Sequence, residues 1–104
     1  MKKHGRWVTH DEVLKEFLKD KKFRKGYEEE LEKLRIAHAL IKLREQRGLT
    51  QTALARRMRV SQPFVAKLES GQARNYNLET LVKVAVALNS ELEIRFRPHR
   101  AKAA

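Results

Sequence analysis

Apolar positions recur at helical spacing in five stretches of this chain and alternate strictly in one. Leu31, Leu34, Ala37, Leu40 and Ile41 lie on one helical face, which predicts a long helix from about Tyr27 to Arg47 that Gly48 ends. Leu54, Ala55 and Met58 form the inner face of a shorter helix opened by Thr50, and Val65 and Leu68 that of the next, opened by Ser61. In both, the opening side-chain oxygen can take a free backbone N–H of the first turn. Asn77 opens a further helix, with Leu78, Leu81, Val82, Ala85 and Leu88 predicted to face inward and Asn89 and Ser90 ending it. Near the start, Thr9 or His10 opens a short helix through Asp11, Glu12, Val13, Leu14, Phe17 and Leu18, its acids placed early as the helix dipole prefers.

Residues 91–97 alternate polar and apolar without exception, which predicts a strand stopped by Pro98, with Leu92, Ile94 and Phe96 on its buried face. A lone strand is unstable, and no other segment reads as its partner. Pairing with the same strand of a second copy would complete the ladder and make a homodimer; the alternative is a frayed tail laid on the helices. The basic run from Lys19 to Gly26, with glycine as the break, divides an arm over residues 1–26 from a helical domain over 27–89, and residues 90–104 make the strand and tail.

A chain of 104 residues holds one small helical core with extensions. Its 24 Lys and Arg against 13 Asp and Glu give a net charge of +11, which favours a polyanionic partner. The cations concentrate in residues 1–27 and 48–77, while 28–47 are balanced. Ribosomal proteins, basic ribonucleases and membrane-surface helices share this balance, so charge alone does not identify the partner. The absence of cysteine excludes disulfide frameworks and Cys-based zinc sites. No apolar run approaches a membrane span, and Lys2-Lys3 is not followed by a signal-peptide core, so a cytoplasmic, nucleoid-associated protein without a membrane is expected. His4, His10, His38 and His99 are scattered, so neither a metal site, a cofactor nor an enzyme is expected; Glu12 beside His10 is only a weak acid/base pair. The aromatics are scattered too and form no platform for stacking single-stranded RNA.

The run Leu49-Thr50-Gln51-x-x-Leu54-Ala55, then Val60-Ser61-Gln62, then Leu68-Glu69-x-Gly71 resembles the lambda-repressor-like (XRE) helix-turn-helix family over roughly residues 35 to 89. The resemblance implies an all-α fold, a lambda-repressor-like helix-turn-helix bundle, to which the residue pattern adds an N-terminal helical arm and a short C-terminal β-strand that pairs between chains. It implies that Gln51 holds a phosphate of double-stranded operator DNA, and that Ser61, Gln62, Pro63 and Lys67 occupy the recognition-helix contact positions. Arg74, Asn75 and Asn77 fall in the loop that follows the DNA backbone in the family. By chemistry, Gln62 suits an adenine edge or a phosphate, Lys67 guanine O6 and N7, and Pro63 an apolar contact such as a thymine methyl. Glu69 reads as a structural acid, and Arg56, Arg57 and Arg59 as either phosphate contacts or a solvated face. Arg59 stands where the family often has glycine; in a left-handed conformation it carries about 1 kcal/mol of strain.

Phe17-Leu18-Lys19-Asp20, the Tyr27-x-x-Glu30-Leu31-x-x-Leu34 helix running into Ala39-Leu40-Ile41-x-Leu43-Arg44, and the Leu92-Glu93-Ile94-Arg95-Phe96 ending are together similar to HigA-type antitoxins of bacterial toxin–antitoxin operons. That resemblance implies a dual function: repression of the operon, and neutralisation of a RelE/HigB-like mRNA-cleaving ribonuclease toxin by direct binding. A toxin of that kind presents a basic cleft, for which Glu28, Glu29, Glu30 and Glu32 are candidate contacts. Trp7, Val13, Leu14, Phe17 and Leu18 are candidate anchors of an arm that folds on binding. The rival reading is a stand-alone phage-type dimeric repressor without a toxin.

Overall fold

Each of the five helices among the described residues begins where a short polar side chain turns back onto its own backbone. In this computed structural model, which describes residues 2–3, 6–73 and 76–98, α1 (His10–Phe17) is capped by Thr9 and α2 (Lys21–Gln46) by Asp20. Thr50 caps α3 (Gln51–Met58), Ser61 caps α4 (Gln62–Ser70) and Asn77 caps α5 (Leu78–Ala87). The capping oxygens lie 2.8–3.2 Å from the N–H groups they accept, and such a cap contributes about 1 kcal/mol. Ahead of α1, Lys2–Lys3 (β1) pairs antiparallel with Arg6–Trp7 (β2), a contact too short to leave a pattern in the sequence.

The core lies where α3, α4 and α5 meet the C-terminal half of α2. Leu40 of α2, Leu54, Ala55 and Met58 of α3, Val65 and Leu68 of α4, Ala73, Val84 of α5 and Leu88 just after it form one buried cluster. Each large aliphatic side chain contributes roughly 1.5–3 kcal/mol by leaving water. Left-handed residues close the helices around it. Gly48 ends α2 at φ 69°, and Arg59 ends α3 at φ 59° and ψ 44°, so the strain expected of an arginine there is present. Gly71 ends α4 at φ 76° and lies against Leu34, whose Cδ2 would stand 2.7 Å from an added Cβ. The carbonyl end of α5 is tied down by two cations: Arg57 Nη1 donates to Ala87 O (3.1 Å) and Arg47 Nε to Leu88 O (2.9 Å).

Three expectations need correction. The break expected at Gly26 does not occur: α2 starts six residues before Tyr27 and runs through the glycine. Asp20 supplies the start by accepting from Lys22 N and Phe23 N, Phe17, Phe23 and Tyr27 follow one another in ring contact, and an exposed glycine costs a helix only about 1 kcal/mol. In α5, Leu78 and Val82 do not face inward; they are 59% and 43% exposed, and Val84 takes the core position. The strand expected over 91–97 does not form: residues 90–98 have no regular structure, and Leu92, Ile94 and Phe96 are exposed. Their alternation records two faces, but a ladder needs a second strand, and none pairs with this segment among the described residues.

Candidate nucleic-acid interface

Helix α4 rests on the core through Val65 and Leu68 and turns its other side to solvent. A polar chain runs from its last turn to its first and begins with a buried ion pair. Glu69 Oε2 accepts from Arg44 Nε at 2.6 Å and its Oε1 from Arg44 Nη2 at 3.0 Å, while Arg44 Nη1 reaches Leu49 O at 2.7 Å. The Glu69 side chain is 4% exposed and that of Arg44 14%. Hydrogen bonding to Glu69, against the opposing effect of burial, raises the Arg44 guanidinium above its already high range. Glu69 Oε1 also accepts from Gln51 Nε2 at 3.0 Å.

That last bond sets the amides beyond it. A carboxylate only accepts, so Gln51 turns its NH2 toward Glu69 and its carbonyl outward, where Gln51 Oε1 accepts from Gln62 Nε2 at 2.9 Å. Gln62 is therefore held from behind by one N–H, which leaves its carbonyl and a second N–H. An adenine edge requires that pair. Gln51, expected at a phosphate, is bonded inward between Glu69 and Gln62.

The remaining recognition positions line one shallow open groove, formed by Ser61, Pro63, Phe64, Ala66, Lys67, Ser70 and Gln72. Ser61 accepts from Phe64 N, so its own O–H remains to donate. Lys67 is exposed and makes no ion pair among the described residues. Pro63 and Phe64 give the groove an apolar side. Phe64, 40% exposed on the same side of α4, is a residue that sequence reasoning missed; its place beside Gln62 and Pro63 was the available signal. Asn77 accepts from Thr80 N, so its side chain caps α5 rather than reaching outward. Arg74 and Asn75 lie outside the described residues. Of the three arginines of the motif, Arg57 is bonded to α5, and Arg56 and Arg59 are exposed.

The candidate toxin contacts lie elsewhere. Trp7 and Phe17 are 73% and 55% exposed, Val13, Leu14 and Leu18 are half-buried, and Phe17 meets Phe23 at 5.3 Å between ring centroids. Glu28, Glu29, Glu30 and Glu32 are all exposed; Glu30 pairs with Lys33 at 3.4 Å and Glu32 with Arg35 at 3.7 Å. Among the described residues, no group of His, Asp and Glu could hold a metal, and no helix is long and apolar enough to cross a membrane.

Two capped helices around a left-handed turn, with a polar, cation-bearing face on the second, define a DNA-binding helix-turn-helix. The chain belongs to the helix-turn-helix family, whose model matches residues 40–94. It is also similar to a Haemophilus influenzae protein described as an uncharacterised HTH-type transcriptional regulator, with 39% identity over 71 residues, 64% of this chain and 71% of the relative. No solved structure matches it.

Proposed function

We propose that this protein is a transcription regulator that lays α4 in the major groove of double-stranded operator DNA. The observation that carries the reading is the relay from Arg44 through Glu69 and Gln51 to Gln62, which fixes a base-reading amide beside the unpaired Lys67. Ser61, and Arg74 and Asn75 beyond it, serve the phosphates, with the N-terminus of α5 at Asn77. The protein acts as a homodimer on a two-fold operator. Support comes from Leu78, Val82 and Val86, one turn apart along α5 and all exposed, and from the exposed Leu92, Ile94 and Phe96 that follow.

The arm carries the second half of the proposal: neutralisation of a RelE/HigB-like toxin. Outside the matched residues, Trp7 and Phe17 present apolar surface and Glu28, Glu29, Glu30 and Glu32 present acid, a combination suited to a basic ribonuclease. The test is co-expression with the product of an adjacent frame encoding a small basic ribonuclease-like protein. Co-purification with relief of growth arrest, lost on deleting residues 1–26 while discrimination between operator and other sequences is kept, is the expected result. Operator binding with no relief would leave a stand-alone dimeric repressor.

A further inference from the structure

Helix α2 opens with four cations in its first five residues, Lys21, Lys22, Arg24 and Lys25, and no acid in its first turn. This runs against the helix dipole, whose N-terminal end is positive and favours acids. Helix α1 follows the ordinary rule, with Asp11 and Glu12 in its first turn. Helical geometry gives Phe23 and Tyr27 one side of α2, where their rings stack beside Phe17. The four cations share the remaining surface, with Lys21 and Lys25 one turn apart. Lys15 of α1 and Lys19 of the joint add to them. All but the half-buried Arg24 are exposed, and among the described residues none of the six makes an ion pair. The nearest acids on α2, Glu28 to Glu30 and Glu32, begin one turn later, and Glu30 and Glu32 already pair with Lys33 and Arg35.

An exposed cluster of cations at the positive end of a helix, offset there only by the single capping carboxylate of Asp20, marks a function. A toxin with a basic cleft has the wrong sign for it; a nucleic-acid backbone has the right one. Lys25 and Lys21 stand nine and thirteen residues before Leu34, about 13–20 Å along α2, and Leu34 lies against Gly71 at the end of α4. A duplex strand places a phosphate about every 3.4 Å, so that distance spans a few nucleotides beside any bases α4 reads. We infer that the elbow between α1 and α2 is a second, sequence-independent phosphate-binding surface that grips the duplex flanking those bases. The inference rests on the DNA-reading role of α4.

The test compares the full chain with K21Q/K22Q/R24Q/K25Q on two duplexes, one with long flanks and one trimmed to the bases under α4, over a range of salt. Each lost phosphate contact lowers the slope of log K against log salt by about 0.9, so the variant's slope on the long duplex is expected to fall by about 2–4. Between 50 and 200 mM salt, two contacts amount to about a tenfold smaller loss of affinity. On the trimmed duplex the two proteins should coincide. The variant should also melt no lower than the wild type, because it removes positive charge from the positive end of α2, and K21R/K22R/K25R should keep the wild-type slope. Wild-type slope in the glutamine variant, or equal losses on both duplexes, would overturn the inference, as would patch-dependent binding of single-stranded RNA in preference to the duplex. Failure of the wild type to bind either duplex would instead remove the role of α4, and the elbow's role with it.

Discussion

Truncating Glu69 to alanine removes the acceptor for Arg44 Nε, Arg44 Nη2 and Gln51 Nε2 together. Breaking a buried pair from one side typically costs 3–5 kcal/mol, because the other charge is left uncompensated. Here Arg44 keeps Leu49 O and a 14% exposed side chain, so the lower end applies, about 3 kcal/mol. Urea unfolding followed by helical circular dichroism would read this as a lower midpoint at unchanged slope. Replacing both partners, as in Arg44→Met with Glu69→Leu, leaves no orphaned charge and should recover most of the loss. The same truncation frees Gln51 and so unsettles Gln62, which should weaken discrimination at the base Gln62 reads while sparing the position read by Lys67. A loss below about 1 kcal/mol for Glu69→Ala, or a double variant as unstable as the two single losses added, would refute the reasoning.

Three other outcomes follow from single contacts. Replacing thymine by uracil in the operator deletes only C5-methyl groups; if Pro63 and Phe64 pack on such a methyl, one replacement should weaken binding several-fold in the wild type and not in Phe64→Ser, as read by fluorescence anisotropy. Arg59→Gly relieves the left-handed strain at φ 59°, so it should gain about 1 kcal/mol, or several degrees in melting temperature, and an unchanged melting temperature would contradict the strain. Burial raises the Tyr76 phenol above its ordinary value, with its O–H donating to Leu68 O at 2.6 Å. Its contribution is therefore complete below the unfolded pKa of about 10 and lost as pH rises through the higher folded value. Tyr76→Phe should flatten that alkaline loss of stability, and an unchanged profile would assign it to other groups.

The elements most legible in the sequence were those with a local chemical cause. Thr9, Thr50, Ser61 and Asn77 each mark a helix start because one short side chain decides it within three residues. Asp20 does the same for α2, but it lies in a lysine-rich run and its helix passes through Gly26, so composition pointed to a joint. In α5 the run from Leu81 to Leu88 is apolar almost all round; two nearly opposite faces fit the spacing equally, and only packing on α3 selects Val84 over Val82. The tail carries a clear alternation but no pairing partner among the described residues. At the site, exposure of Gln62 and Lys67 follows from helix phase. The inward tie of Gln51 depends on Glu69, eighteen residues away, and no local pattern encodes it.

The central claim is that α4 reads DNA bases, and a titration of wild-type and Lys67→Ala protein against the DNA upstream of its own gene, with every base pair of the protected site varied in turn, tests it most directly. The account predicts a protected site in which Lys67→Ala loses affinity at one base-pair position per half-site, by roughly 1–3 kcal/mol of discrimination, and keeps its preference elsewhere. Equal losses on every sequence, or no protected site for the wild type, would contradict it.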